Sequence, residues 1–519
     1  MSKQQPNIVL VMADQLAPQF TGTYGHPLVQ TPNLDALAAR GSRFDAAYCN
    51  SPLCAPSRFS FMSGQLITRI AAYDNASEFP ASVPTFAHYL RSMGYRTCLS
   101  GKMHFVGPDQ LHGFDERLTT DIYPADYAWT PNWELADERI DKWYHNMDSV
   151  REAGTAVGTF QIDYDDEVAF FARRKILDYA RDNTHPFCMV ASFIHPHDPY
   201  VALQKWWDLY DNASIDMPTS NFPYEQQDDF SKRLMDGIEA SKVAVTDQEI
   251  RNARHAYYAN TSYFDSKIGE LVDILDSTGQ LENTIFIVTA DHGDMLGERG
   301  LWYKMNFFEA SARVPMVMAG PGIQQQQITN PCSLVDILPT MLDIAASDGT
   351  AKPQLGQPID GRSLLPLANG AGESIDKAEA IGEYCAEMTA APVLMIRRGQ
   401  YKYIHCDSDS PMLFDIENDP TEKHNLCGDA SVAEIEKNLR DEIKQRWDSE
   451  KIRKDVIRTQ HQRRAVHASM ELAATHQWDY NPPRDASQEY VRNHMDWTVA
   501  AARTRFPPQE NQIKERGGN

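Results

Sequence analysis

Residues 54–64 read CAPSRFSFMSG, and the reading of that stretch governs the rest of the chain. Pro56 suits the first turn of a helix and Gly64 suits its end. Cys54 then sits at the helix N-terminus, where free amides and the helix dipole favour anions. Arg58 follows one turn along the same face. A sulfur, a cation and a helix N-terminus at one point make a place where an anion could react. A capped helix with a buried, inert cysteine would have the same letters.

Outward from that stretch, apolar strands alternate with helices. Asn7–Met12 reads as a buried strand and ends in Ala13-Asp14-Gln15. Thr31-Pro32 opens a helix, and Thr85–Gly94 forms another. Tyr95–Leu99 leads into Gly101-Lys102-Met103-His104, and Phe187–Ile194 into His195-Pro196-His197-Asp198. Phe264–Asp276 has helical periodicity. Thr284–Thr289 is a strand ending before Asp291-His292-Gly293, Val314–Ala319 is another strand, and Leu334–Ile344 is a helix. The alternation predicts an α/β fold: a large mixed, mainly parallel sheet sandwiched by helices. Three strands end in polar clusters, and ligands bind outside the carboxyl ends of such strands.

Past about residue 375 the pattern changes. Pro392–Ile396, Tyr401–His405 and Met412–Ile416 predict a small antiparallel sheet, followed by a helix over Ala433–Trp447. The expected organisation is a catalytic α/β domain over 1–375, a small α+β subdomain over 376–450, and an extended C-terminal tail over 451–519.

Composition narrows the function classes. The chain has 519 residues, 42% hydrophobic and 10% aromatic, enough for a sizeable core and unlike a disordered or collagenous chain. Its formal charge of −23 argues against a nucleic-acid or anionic-membrane partner. The eight cysteines form no CxxC pair, so neither a disulfide framework nor a thiolate zinc site is expected. With no signal-peptide or membrane-spanning pattern, a cytoplasmic location is the expectation.

C-x-P-S-R followed by Gly resembles the signature of the sulfatases, in the alkaline phosphatase superfamily. The resemblance extends to the Asp14-Gln15 strand end, Gly101-Lys102-Met103-His104, Asp291-His292-Gly293 and Lys304. Within that family the blocks 51–65, 98–114, 117–131, 143–147 and 489–497 resemble the choline sulfatases. Many sulfatases have Asp-Asp where this chain has Asp14-Gln15, and Asn where it has His292. That combination resembles choline sulfatases and phosphonate monoester hydrolases, and it leaves the metal's identity open.

The resemblance implies the following roles. Cys54 is oxidised to formylglycine by a formylglycine-generating maturation enzyme, and its hydrate supplies the attacking oxygen. Asp14, Gln15, Asp291 and His292 hold one divalent metal. Their mostly oxygen donors suit Ca²⁺, with Mg²⁺ or Mn²⁺ as alternatives. Taken singly, an Asp at a strand end is more often a helix cap. Arg58 holds the hydrate, and Lys102 and Lys304 bind sulfate oxygens. His104 deprotonates the hydrate, and His197 contacts the sulfate or leaving group. For His195 a core role is as open as a site role.

A choline group needs aromatic faces and carboxylates. Trp129 is the expected cation–π face, Glu387 and Asp496 are the counter-charges, and His145 and Asn146 lie in the same blocks. A packed Trp and a solvated Asp would carry the same letters. The expected reaction is hydrolysis of choline-O-sulfate, in a homo-oligomer (dimer or tetramer) whose tail packs on a neighbour. The rivals are a phosphonate monoester or phosphodiester hydrolase, a sulfatase for another alkyl or aryl sulfate, and a non-catalytic anion-binding pseudoenzyme. The nucleophile, carboxylates and cations are all present, which weighs against the last.

Overall fold

The computed structural model describes residues 5–123, 126–135, 145–371 and 378–472. An eight-stranded sheet runs through the larger part of the molecule. Its order is Gln326–Ile328, Gly41–Phe44, Met316–Ala319, Thr284–Ala290, Asn7–Asp14, Phe187–Pro196, Arg96–Gly101, Glu116–Arg117. The four strands from Thr284–Ala290 to Arg96–Gly101 are mutually parallel. Every residue of Asn7–Asp14, Thr284–Ala290 and Phe187–Pro196 is buried. That is why their sequences are apolar runs without alternation: both faces are covered by helices.

Because these strands are parallel neighbours, their carboxyl ends lie along one edge. Asp14, His195–Asp198, Lys102 and Asp291 follow from those ends. The long helices Phe160–Arg181 and Asp247–Ser277 pack on the sheet. The second absorbs the helix expected over 264–276 and extends it toward the N-terminus, opened by a Thr246–Glu249 capping box.

Three expectations need correction. The strand at Val314–Ala319 starts at Met316 and pairs antiparallel with both neighbours. The antiparallel sheet has four strands, not three: Glu379–Tyr384 precedes Val393–Arg398, Tyr401–Cys406 and Met412–Asp415. The segment from Lys451 does not begin as an extended tail. Its first 20 residues belong to a 22-residue helix, Ser449–Met470, capped by Asp448. Ile452 and Val456 of that helix are buried in a second apolar cluster with Tyr73, Trp133, Leu394, Ile396 and Leu413. Burying those side chains selects the helix. No helix among the described residues is long and apolar enough to cross a membrane.

Candidate active site

The helix predicted from residue 54 is present as Cys54–Ser63, with Gly64 left-handed at its end (φ 65°). The amide of Ala55 is capped from outside by Asn75 Oδ1 at 3.0 Å. Cys54 and Arg58 are both fully buried. The Cys54 sulfur lies 3.3 Å from His292 Nε2 and 3.8 Å from Asp14 Oδ1. One ligand atom each from Asp14, Cys54, Asp291 and His292 all fall within 4.8 Å of one another.

Arg58 ties the strand ends together. It donates from Nη2 to Asp14 Oδ2 at 2.9 Å, from Nε to Asp291 Oδ2 at 2.8 Å, and from Nη1 to Ser192 Oγ and the Lys102 carbonyl, each at 2.7 Å. Four neighbouring strands thus share one guanidinium, whose planar fork fits them in a way a lysine could not. Lys102 Nζ meets Asp14 Oδ2 at 2.5 Å and lies 4.3 Å from the centre of the Tyr123 ring. Burial alone would raise the pKa of Asp14. Lys102, His197, Arg58 and His292 overcome it and hold the carboxyl well below its usual range. Burial likewise works against charge on Lys102 and Arg58, and their carboxylate partners raise both instead.

Lys304 Nζ lies 2.6 Å from Gln15 Oε1 and 2.9 Å from His197 Nε2. The other His197 nitrogen, Nδ1, is 2.6 Å from the Asp198 carbonyl. Burial first, and Lys304 second, push the His197 pKa well down, so its ring is neutral at ordinary pH. His292 is also shifted down by burial, which suits an imidazole that donates a lone pair. His104 is fully buried in the left-handed region (φ 62°), and neither ring nitrogen has a hydrogen-bond partner among the described residues. An orphaned buried imidazole is costly unless a ligand meets it.

These donors fit a divalent cation. Asp14 and Asp291 offer charged oxygens and His292 a neutral nitrogen. One lone pair of the Gln15 amide oxygen is taken by Lys304. Around Cys54 the two carboxylates are matched by Arg58 and Lys102. Lys304 adds a further positive charge, so the site suits an anion.

The remaining expected residues divide. Trp129 lies roughly perpendicular to the rings of His104, centres 5.9 Å apart, and Tyr123, at 6.0 Å. His145 stacks on Tyr303 at 4.5 Å and reaches Asp198 at 3.7 Å; burial and Lys304 lower its pKa to about 4. Asn146 uses its amide oxygen to cap the Asp148 amide at 2.8 Å, and its backbone carbonyl accepts from Tyr303. Glu387 is buried, with the Tyr384 hydroxyl 3.3 Å from its carboxylate. Burial and the nearby Asp74 raise its pKa to about 7. His195 pairs with Asp165 at 2.7 Å and so is held by the Phe160–Arg181 helix. Asp496 lies outside the described residues.

Several residues join the site without having been assigned from sequence. Asp198 reaches Gln15 Nε2 at 3.2 Å and His197 Nδ1 at 3.2 Å. Asp294 accepts from Gln15 Nε2 at 2.7 Å and from Tyr200 at 2.8 Å, and burial raises its pKa to about 6. Tyr123 places its hydroxyl 3.3 Å from His197. Asp198 stood in a recognised polar cluster and Tyr123 in the 117–131 block. Asp294 lies in a loop with no periodicity to mark it.

Residues 6–347 match the family model described as sulfatase, 297–449 one described as N-sulphoglucosamine sulphohydrolase, C-terminal, and 454–506 one described as choline sulfatase enzyme C terminal. The chain is 46% identical over 519 residues to a choline-sulfatase of Rhizobium meliloti (strain 1021), covering 98% of this chain and all of that one. It is 28% identical to the uncharacterized sulfatase YidJ of Escherichia coli (strain K12), over 85% of this chain and 86% of that one. In fold it is similar to a phosphonate monoester hydrolase of Agrobacterium radiobacter, with a TM-score of 0.68 at 22% identity, covering 84% of this chain and 94% of that one.

Proposed function

The chain belongs to the sulfatase family, and we propose that it hydrolyses choline-O-sulfate to choline and sulfate. The supporting observation is the meeting of Cys54, Arg58, Lys102, Lys304 and His197 with Asp14, Asp291 and His292 in one buried site, with the unpartnered buried ring of His104 two residues beyond Lys102. The full-length similarity to a choline-sulfatase supports the substrate.

A sulfate ester resists attack because charged oxygens ring its sulfur, so catalysis needs charge neutralisation and a strong nucleophile. Lys102 and Lys304 bind the sulfate oxygens from buried positions, where their charge is little screened. Arg58 keeps Asp14 and Asp291 in register and orients the nucleophile. Oxidation of Cys54 to formylglycine by a maturation enzyme supplies a hydrated aldehyde, which can release sulfate without a second attack at sulfur. His104 takes a proton from that hydrate through its unpartnered ring. His197 contacts the sulfate or leaving-group oxygen through Nε2. Asp14, Gln15, Asp291 and His292 would hold one divalent cation, Ca²⁺ before Mg²⁺ or Mn²⁺, which would supply Lewis-acid charge to a sulfate oxygen.

At the other end, Trp129 offers its face to the quaternary ammonium, Glu387 and Asp496 offer charge, and His145 and Asn146 line the approach. The protein works in the cytoplasm as a homo-oligomer. Light scattering that finds only a monomer ends that part of the reading.

Two measurements test the proposal. Peptide mass spectrometry over residue 54 of active protein is expected to find formylglycine. Only unmodified cysteine in active material rules the nucleophile out. Turnover of choline sulfate is expected to exceed that of 4-nitrophenyl sulfate and of a phosphodiester. Choline sulfate as the poorest of the three points to the phosphohydrolase or another sulfatase instead.

A further inference from the structure

Asp74 is a buried carboxylate outside the set described above. Its side chain is fully enclosed, and it accepts from the Ala76 amide at 3.0 Å and from Ser77 Oγ at 3.1 Å. Its charge partner comes from the far end of the chain. Arg463, on the Ser449–Met470 helix and 8% exposed, donates from both Nη1 and Nη2, the second at 2.7 Å. Such a two-pronged pair is directional as well as strong.

The pair sits among the supports of the proposed choline pocket. Asn75, next to Asp74, caps Ala55 beside Cys54. Arg463 Nη1 lies 3.5 Å from Thr130 Oγ1, next to Trp129. One helical turn before Arg463, Gln460 accepts from the Trp133 amide at 3.0 Å, and the Trp133 indole donates to the Ala386 carbonyl at 2.7 Å, beside Glu387. The helix therefore touches Thr130 beside Trp129 directly, and reaches the neighbours of Cys54 and Glu387 at one remove, through Asp74-Asn75 and through Trp133.

We propose that Arg463 is a positioning residue for the cationic end of the substrate: it engages Asp74 and so leaves Glu387 as the carboxylate that meets the ammonium group. The inference rests on the choline sulfate reading. Without Arg463, the Asp74 carboxylate loses its two-pronged cation partner, and its charge acts more strongly on Glu387, whose ionised form it already disfavours. Burial and that charge together favour the protonated form of Glu387, and the ammonium group then loses its counter-charge.

The test uses the full-length, matured enzyme, with choline sulfate and 4-nitrophenyl sulfate as paired substrates. Arg463→Met is expected to raise KM for choline sulfate about tenfold with kcat within about threefold, and to change kcat/KM for 4-nitrophenyl sulfate less than about threefold. Adding Asp74→Asn, which removes the stranded charge, is expected to return KM to near its starting value. An equal loss on both substrates, or a KM for choline sulfate that is unchanged or lower, overturns the inference while leaving the function intact. Should Arg463→Met fail to fold, the double variant decides. A near-normal KM supports the charge role, and a KM raised for choline sulfate refutes it. A wild-type enzyme indifferent to choline sulfate overturns the function and this inference together.

Discussion

Glu387 is a carboxyl group enclosed by protein, and its behaviour is set by who faces it. Burial and Asp74 raise its pKa to about 7, against the Tyr384 hydrogen bond and the more distant Lys304. The sign follows from the acid equilibrium: the charged form is present above that value and is lost as pH falls through it. A quaternary ammonium is attracted only to the charged form. KM for choline sulfate is therefore expected to rise about tenfold between about pH 8 and about pH 6, with KM for 4-nitrophenyl sulfate as the baseline. Glu387→Gln flattens that difference. An unchanged slope in the variant removes Glu387 from cation recognition. At this scale the sequence was informative where chemistry follows a strand end or a helix start. Asp14, Cys54, Lys102 and Asp291 could be found that way, and the structure brings them together. Asp74, Tyr123 and Asp294 owe their place to tertiary contact across long separations, which no local pattern encodes. The partners of Asn146 were also illegible, because a cap depends on where the turn closes.

The strand ends leave little room between them. Gly101 closes Arg96–Gly101 with φ 110°, and a Cβ there would lie 1.9 Å from the Ser192 carbonyl oxygen. That carbonyl accepts from the Lys102 amide at 3.0 Å, while Ser192 Oγ accepts from Arg58. Any side chain at 101 must push apart the two strands that hold Lys102 and Arg58. Gly101→Ala is expected to cost about 3 kcal/mol or more in stability and to lower activity on every sulfate ester by about a hundredfold. Thermal melting and initial rates check it. A variant melting within a few degrees of wild type and fully active would mean the strand ends have slack. Element by element, long buried strands were legible as unbroken apolar runs, since burial on both faces removes alternation. Strand direction was not: nothing in Val314–Ala319 records that it runs against its neighbours. Edge strands of two or three residues, such as Glu116–Arg117 and Gln326–Ile328, are too short to show a period. The Phe160–Arg181 helix does carry one in Ile162, Val168, Ala172, Ile176 and Tyr179, with Asp165 breaking it to serve His195.

Across the whole molecule, a chain of formal charge −23 encloses a site built to hold an anion. The two are compatible because they act over different distances. Arg58, Lys102 and Lys304 are fully buried, so their pull on a bound sulfate is short-ranged and weakly screened. The acidic exterior acts on molecules still in solution, over a Debye length that shrinks from about 30 Å at 0.01 M salt to about 8 Å at 0.15 M. A singly charged aryl sulfate must cross that repulsive field, whereas choline sulfate has no net charge and crosses it with little penalty. The expected outcome is a substrate-dependent salt effect. Raising sodium chloride across that range increases kcat/KM for 4-nitrophenyl sulfate several-fold and changes that for choline sulfate by less than about twofold. The comparison cancels any general effect of salt on folding or metal affinity, because both substrates use the same Cys54 and the same cations. Parallel responses of the two substrates would mean that the exterior charge plays no part in selection, and that discrimination lies wholly in the contacts around Trp129 and Glu387.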